Sequence, residues 1–160
     1  MYFMINLKYT KFQGALEIVG LLLMLGMIIF VCTSLNQLPA KIPAHYNIMG
    51  EVDRWGSKSE IIILPIMSTL LYALFTTLTF LPKTWGLPIK ITDLNREAVY
   101  SYTRSLLIFM KIEILGMFFY ITYYMTTSQP LPVAFIPVIL LILIGTSIYF
   151  VTRMYQIGKR

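Results

Sequence analysis

The sequence predicts an all-α membrane protein, a four-transmembrane-helix bundle with an ordered loop between its first and second helices. Three observations carry that expectation. Four apolar runs, 15–35, 60–81, 105–125 and 132–152, are each close to the ~20 residues that cross a hydrocarbon core about 30 Å thick. Hydrophobic residues make up 58% of the chain and charged residues 12%, where soluble domains carry roughly a quarter charged. Lys and Arg are unevenly shared between the connections, as membrane topology requires.

The charge count orients the bundle. Nine of the 13 Lys and Arg collect on one side: Lys8 and Lys11 ahead of the first run, Lys83, Lys90, Arg96 and Arg104 in the connection 82–104, and Arg153, Lys159 and Arg160 at the end. Lys41, Arg54 and Lys58 lie in the loop 36–59, the third connection has none, and Lys111 lies inside a span. The positive-inside rule then places both termini and the 82–104 connection in the cytoplasm, and the loop 36–59 outside. A net charge of +6 is thereby explained by topology and anionic lipid, so the expected partner is the lipid bilayer and not nucleic acid. Neither connection is long enough to bury a core of its own, so 1–160 is expected to form a single integral membrane domain. The single cysteine, Cys32, excludes an intramolecular disulfide.

Taken in order, residues 1–14 mix Tyr2, Phe3, Ile5, Tyr9 and Phe12 with Lys8 and Lys11, a pattern suited to the membrane interface. The run that follows exceeds the usual apolar core of a signal peptide and has no small-x-small site after it, which predicts a retained first helix. Ser57-Lys58-Ser59-Glu60 fits a capping box and starts the second helix near Lys58. Pro65 then falls in its second turn, where a kink is expected. Trp85-Gly86-Leu87-Pro88 predicts an interfacial turn anchored by Trp85, and Thr92 or Asp93 can cap the third helix. Leu94, Ala98 and Tyr102 recur at four-residue spacing with Arg96, Glu97 and Arg104 interleaved, which predicts a polar extension of the third helix below the membrane. Phe118, Phe119, Tyr120, Tyr123 and Tyr124 predict an aromatic belt at the outer end. The uncharged connection 126–130 predicts an antiparallel hairpin of helices three and four, with Pro132 in the first turn of helix four and Pro137 bending it.

Two groups of residues are candidates for function. In the loop, Ile42-Pro43 imposes an extended approach, Asn47 and Gly50 bracket one turn, and Asp53 and Gly56 bracket a second. The expectation is a small hairpin-like cap with Tyr46 and Trp55 packed down on the bundle. His45, Glu51 and Asp53 are the types of residue that bind metals, but one imidazole and two carboxylates are a weak pattern, and no metal or other cofactor is expected. The favoured roles are structural: His45 and Asp53 hold the loop, and Arg54 pairs with Glu51 or a lipid phosphate. Inside the membrane, Glu17, Lys111, Glu113 and Arg153 all fall in the inner half. Buried charges must be answered, so Glu17 is expected to pair with Lys111 and Glu113 with Arg153.

The run Leu38-Pro39-x-x-Ile42-Pro43-x-His45-Tyr46-Asn47-x-x-Gly50-x-x-Asp53-x-Trp55-Gly56-x-Lys58, followed by Leu64-Pro65 in the next helix, resembles the SdpI-type family of small bacterial membrane proteins. The family takes its name from an immunity protein against a secreted killing factor. The likeness covers about 50 residues, and the later helices share only hydropathy and an Asn95-x-x-Ala98 start. It implies a multi-pass protein of a bacterial plasma membrane; some members confer toxin resistance and tether a repressor at the membrane. Longer members carry further helices after the fourth, so the functions of those helices are not implied for this chain.

The sequence holds no His-Glu-x-x-His helix, Gly-x-Ser-x-Gly elbow or P-loop, and one histidine with one cysteine makes no nucleophilic pair, so an enzyme is not expected. The expected function is immunity, resistance or signal relay. In this reading the outer loop, through Pro43, His45, Asn47, Gly50, Asp53, Trp55 and Gly56, recognises an extracytoplasmic peptide, toxin or protein, and the basic inner segments meet a cytoplasmic regulator or membrane partner. The alternative is a small transporter, or an accessory subunit of one, that uses Glu113 and Lys111.

Overall fold

The computed structural model describes residues 8–87 and 89–159. Helix α1 covers Lys11–Ser34, α2 Ile63–Thr79, α3 Arg96–Thr127 and α4 Phe135–Gly158. Strands β1 (Lys41–Tyr46) and β2 (Val52–Ser57) form an antiparallel hairpin between α1 and α2, and a 3-10 turn, Lys58–Ile62, leads into α2. A second 3-10 turn, Pro82–Thr84, follows α2. The stretches Lys11–Ser34, Lys58–Thr79, Arg96–Thr127 and Phe135–Gly158 are each long and apolar enough to cross a membrane. The chain is a four-helix membrane protein with a β-hairpin at one end of its bundle.

Local chemistry explains the helix boundaries. Thr10 and Gln13 form a capping box that starts α1 four residues earlier than its apolar run. Gln13 is buried, and its amide also donates to Ser101 O (3.1 Å) and Ser105 Oγ (3.0 Å), so one side chain caps α1 and ties it to α3. The Ser57–Glu60 box begins the second span as expected, although its first turn is 3-10 and α winding starts at Ile63. Pro65 is therefore the third residue of α2 rather than part of a second turn. Helix α4 likewise starts at Phe135, not near Pro132, so Pro137 is its third residue and not an interior bend. A missing N–H is tolerated in the first turn of a helix, where the donor has no intrahelical acceptor.

At the start of α3, Thr92 and Asn95 exchange hydrogen bonds: Asn95 Oδ1 accepts from Thr92 N (2.9 Å) and Thr92 Oγ1 from Asn95 N (3.3 Å). Asn95, Val99 and Thr103 form the packed face. Leu94, Ala98 and Tyr102 lie one residue off this face, and Leu94 itself is 94% exposed. Trp85 donates from Nε1 to Leu78 O (2.9 Å) and meets Tyr100 edge-on. Tyr2, Phe3 and Ile5 lie outside the described residues.

At ~1.5 Å per residue, α3 is about 48 Å long, more than a hydrocarbon core requires. It is also the central helix, packing against α1, α2 and α4, whereas α4 leans chiefly on α3. Met27, Ile108 and Leu115 fill the α1–α2–α3 junction, where Ser68 and Thr122 hydroxyls face the Met27 sulfur. Lys111 is also buried there. Its ammonium pairs with Glu17 of α1, donates to Thr76 Oγ1 of α2 (2.9 Å) and lies 4.7 Å from the centre of the Tyr72 ring.

Lys111 sets a test of the packing. Lys111→Ala leaves Glu17 without its cation and is expected to cost about 3–5 kcal/mol, whereas Lys111→Met with Glu17→Leu recovers most of the loss. Thermal unfolding in mild detergent reads both. Equal destabilisation by the single and double variants would exclude an unanswered charge as the cause.

Candidate functional site beneath the hairpin

The hairpin is built from its turn outward. Asn47 Oδ1 accepts from Met49 N (2.9 Å) and Glu51 N (3.0 Å), its Nδ2 donates to Glu51 Oε2 (2.8 Å), and Gly50 N donates to Asn47 O (2.9 Å). Gly50 has φ +82, and a Cβ there would stand 2.4 Å from Leu131 O, so both conformation and space demand glycine. The glycine docks the turn: Leu131 N donates to Gly50 O at 2.8 Å, joining the hairpin to the α3–α4 connection. Tyr46 Oη adds a bond to Gln129 O (3.2 Å), and burial pushes this phenol up to about 12, which keeps it a donor at any physiological pH.

At the other end of the hairpin, Glu60 holds two elements at once. Its Oε1 accepts from Ser57 N (3.0 Å), closing the capping box, and its Oε2 accepts from Arg54 Nη1 (2.9 Å). Arg54 Nη2 also donates to Ala44 O (3.1 Å), so the guanidinium crosses from β2 to β1. Gly56 makes this possible, because a Cβ would stand 2.2 Å from Glu60 Oε1 and 2.7 Å from the Ala44 Cβ. The expected Arg54–Glu51 pair is not formed, because Asn47 holds Glu51 and Arg54 faces the start of the next helix. Asp53 and Gly56 do not bracket a turn; both lie within β2.

The strand register sets the remaining loop residues. Lys41 pairs with Ser57, Ile42 with Gly56 and Pro43 with Trp55; one irregularity, at Ala44, moves His45 opposite Arg54, and a second, at Asp53, restores the register with Tyr46 opposite Val52. Ile42 and Pro43 are fully buried, and Ile42 joins a cluster with Val31, Leu38, Ile61 and Met125 that seats the hairpin on the bundle. Trp55 is not packed down but 52% exposed on the outward face. The shift brings His45 Nδ1 within 2.6 Å of Asp53 Oδ1. A carboxylate only accepts, so Nδ1 carries the proton of this bond. With side chains 63% and 43% exposed, this pair contributes little to stability. Glu51 does not join it, and among the described residues no three metal-ligating side chains come together.

Between the hairpin, α2, α3 and α4 lies a cavity of about 250 Å³. Its floor is apolar, with Leu64, Ile121, Met125, Leu131 and Ile136, and its rim carries His45 and the Arg54–Glu60 pair. Charge at the edge and hydrocarbon below make an amphipathic niche of the type that holds an apolar side chain while fixing the polar chain around it. Sequence reasoning identified His45 here but missed Glu60 and Leu131. The box spacing pointed to Glu60 only as a cap, and nothing local in the chain marks Leu131.

The intramembrane charges divide into two separate sets. Glu17 and Lys111 meet as expected. Glu113 and Arg153 do not: Glu113 Oε1 accepts from Thr146 Oγ1 (2.5 Å), while the exposed Arg153 donates to Gln156. The reason is helical rise. Arg153 stands seven residues, about 10 Å, along α4 from the level of Glu113, too far for its side chain to return. Arg104, buried on the same face of α3 as Lys111, lies 4.4 Å from the centre of the Tyr9 ring and donates to Lys8 O and Thr79 O (both 3.3 Å).

Fold and site together define a multi-pass membrane protein with a compact β-hairpin clamped over one end of its bundle. Residues 22–69, which span the second half of α1, the hairpin and the start of α2, match a family described as a domain of unknown function, DUF1648. The chain is similar to an uncharacterized protein of Archaeoglobus fulgidus, 27% identical over 143 residues and covering 78% of each chain. No solved structure matches.

The docking of the turn gives a direct test. Gly50→Ala must relieve both a left-handed backbone and a clash with a carbonyl, and about 1–3 kcal/mol of local stability should be lost. Limited proteolysis within 41–57 should accelerate while the helical circular dichroism is retained. Unchanged cleavage would mean that the Gly50–Leu131 contact does not hold the hairpin.

Proposed function

We propose that this protein recognises an extracytoplasmic peptide or protein segment in the niche beneath its hairpin, in the service of immunity or resistance to a secreted toxin, or of signal relay. The observation that carries this reading is the niche itself: a fixed cap, an apolar floor and a charged rim that includes His45. Such a site binds by shape and edge contacts, and no chemical step is needed of it; we propose no enzymatic activity. The SdpI-type likeness of residues 38–58 supports the same reading, and the matching domain of unknown function spans that segment. In this proposal the bundle lies in a bacterial plasma membrane with both termini inside. The hairpin faces out, and the basic 82–104 connection is open to a cytoplasmic regulator. The buried Glu17–Lys111 pair favours a second reading, a small transporter or accessory subunit in which that pair rearranges.

Two measurements test the first reading. In cells lacking the gene, wild-type protein should restore resistance to the cognate membrane-active peptide, and His45→Ala should reduce it about tenfold, the size expected for one lost polar contact. The His45 bond is exposed, so the fold should survive the substitution. Full protection by His45→Ala at equal expression would remove recognition through this niche. For orientation, a cysteine at Ile48, which is 76% exposed on the turn, should react in intact cells with an impermeant maleimide. Labelling only after lysis would invert the proposed topology.

A further inference from the structure

We propose that the groove between α3 and α4 binds a lipophilic ammonium compound, a hydrocarbon body with one protonated amine that the Glu113 carboxyl receives. The groove is distinct from the niche under the hairpin, although Phe135 borders both. Its volume is about 460 Å³, within the range of small-molecule sites. Glu113, Gly116, Met117 and Tyr120 line one wall at helical spacing, and Val138 and Ile142 stand opposite. Seven residues of α3 make it about 10 Å long, with Glu113 at one end and, at the other, Tyr120 stacked on Phe135 at 4.9 Å between ring centres.

Among the described residues, Thr146 is the hydrogen-bond partner of the carboxyl, and the groove residues nearest it, Gly116, Met117 and Ile142, are apolar. Thr146 occupies Oε1, and Oε2 is buried without a hydrogen-bond partner. The nearby basic groups are committed elsewhere: Lys111, two positions away on the opposite side of α3, belongs to Glu17, and Arg153 lies about two turns along α4. A buried carboxyl oxygen without a partner is costly, so the site lacks one donor. One oxygen and one hydroxyl are too few ligands for a metal ion. An ammonium supplies both the donor and the missing positive charge, while the walls accept its hydrocarbon. Gly116 keeps the wall open, since a Cβ there would meet nothing within 4 Å.

The test uses the full chain in a neutral detergent, with dodecylammonium as probe and dodecanol and dodecanoate as matched controls. Retention in native mass spectra and the shift in Tm are read together. Dodecylammonium should bind one per protein and raise Tm, with both controls at least tenfold weaker. Glu113→Gln keeps the Thr146 contact but loses the charge, and it should weaken dodecylammonium about tenfold or more. Gly116→Phe grows into open space and should abolish binding while leaving the Tm of the free protein nearly unchanged. The proposal is overturned if Glu113→Gln binds the amine as tightly as wild type, or if dodecanol or dodecanoate binds equally well. Loss of resistance through His45 is independent of either outcome.

Discussion

A lysine ammonium with no access to solvent has to be answered where it stands, and Lys111 sets how three of the four helices meet. Its partners come from α1, in Glu17, and from α2, in Thr76 and Tyr72, while the lysine belongs to α3. Within hydrocarbon there is no driving force from water to hold helices together, so close packing and polar contacts decide their rotation. Gly20, where a Cβ would sit 3.6 Å from both Lys111 and Ile112, lets α1 approach closely enough for the pair to form. The Gln13 amide and the Arg104 guanidinium repeat the device nearer the termini, each binding the backbone of a neighbouring element.

The hairpin follows from the same requirement at the other end of the bundle. Two strands alone are marginal, and this pair is exposed along much of β2. Three attachments hold it: Ile42 in the apolar cluster with Val31 of α1 and Met125 of α3, Gly50 against the Leu131 backbone, and Glu60 between the strand end and the helix start. Because the second and third attachments lie on opposite sides of the hairpin, a space is left beneath it, and the niche is the consequence of how the cap is fastened. Of the polar loop residues, Asn47, Gly50 and Gly56 shape the hairpin, Glu60 and Arg54 both fasten it and edge the niche, and His45 edges the niche without fastening the cap to the bundle.

Helix α4 departs from this pattern. It rests on α3, and no buried ion pair ties it to the rest of the bundle among the described residues. Its contact with Glu113 is a single threonine hydroxyl, and the groove beside it stays open because Gly116 has no side chain and Phe135 is drawn up to stack on Tyr120. A bundle of three tied helices and one leaning helix thus carries a carboxyl that its own side chains do not fully satisfy.

Much of this was legible in the residues alone. Apolar runs of spanning length identify the four helices, because a backbone in hydrocarbon must satisfy its own hydrogen bonds. Asn47 and Gly50 mark a turn, Ser57 and Glu60 mark a helix start, and the demand that Glu17 and Lys111 answer one another needs no coordinates. Thr10 and Gln13 carry an equally local signal that the interface-like composition around them obscured. Other features depend on distances between remote parts of the chain. That Glu113 meets Thr146 and not Arg153 is set by the height at which α4 passes α3. That Gly50 docks on Leu131 is set by where the α3–α4 connection ends, and that early α3 buries the polar Asn95 while the apolar Leu94 stays exposed is set by what packs beside it. Length, periodicity and capping act over a few residues and are written in the sequence; the pairing of remote charges and the space beneath the hairpin exist only once the helices are packed.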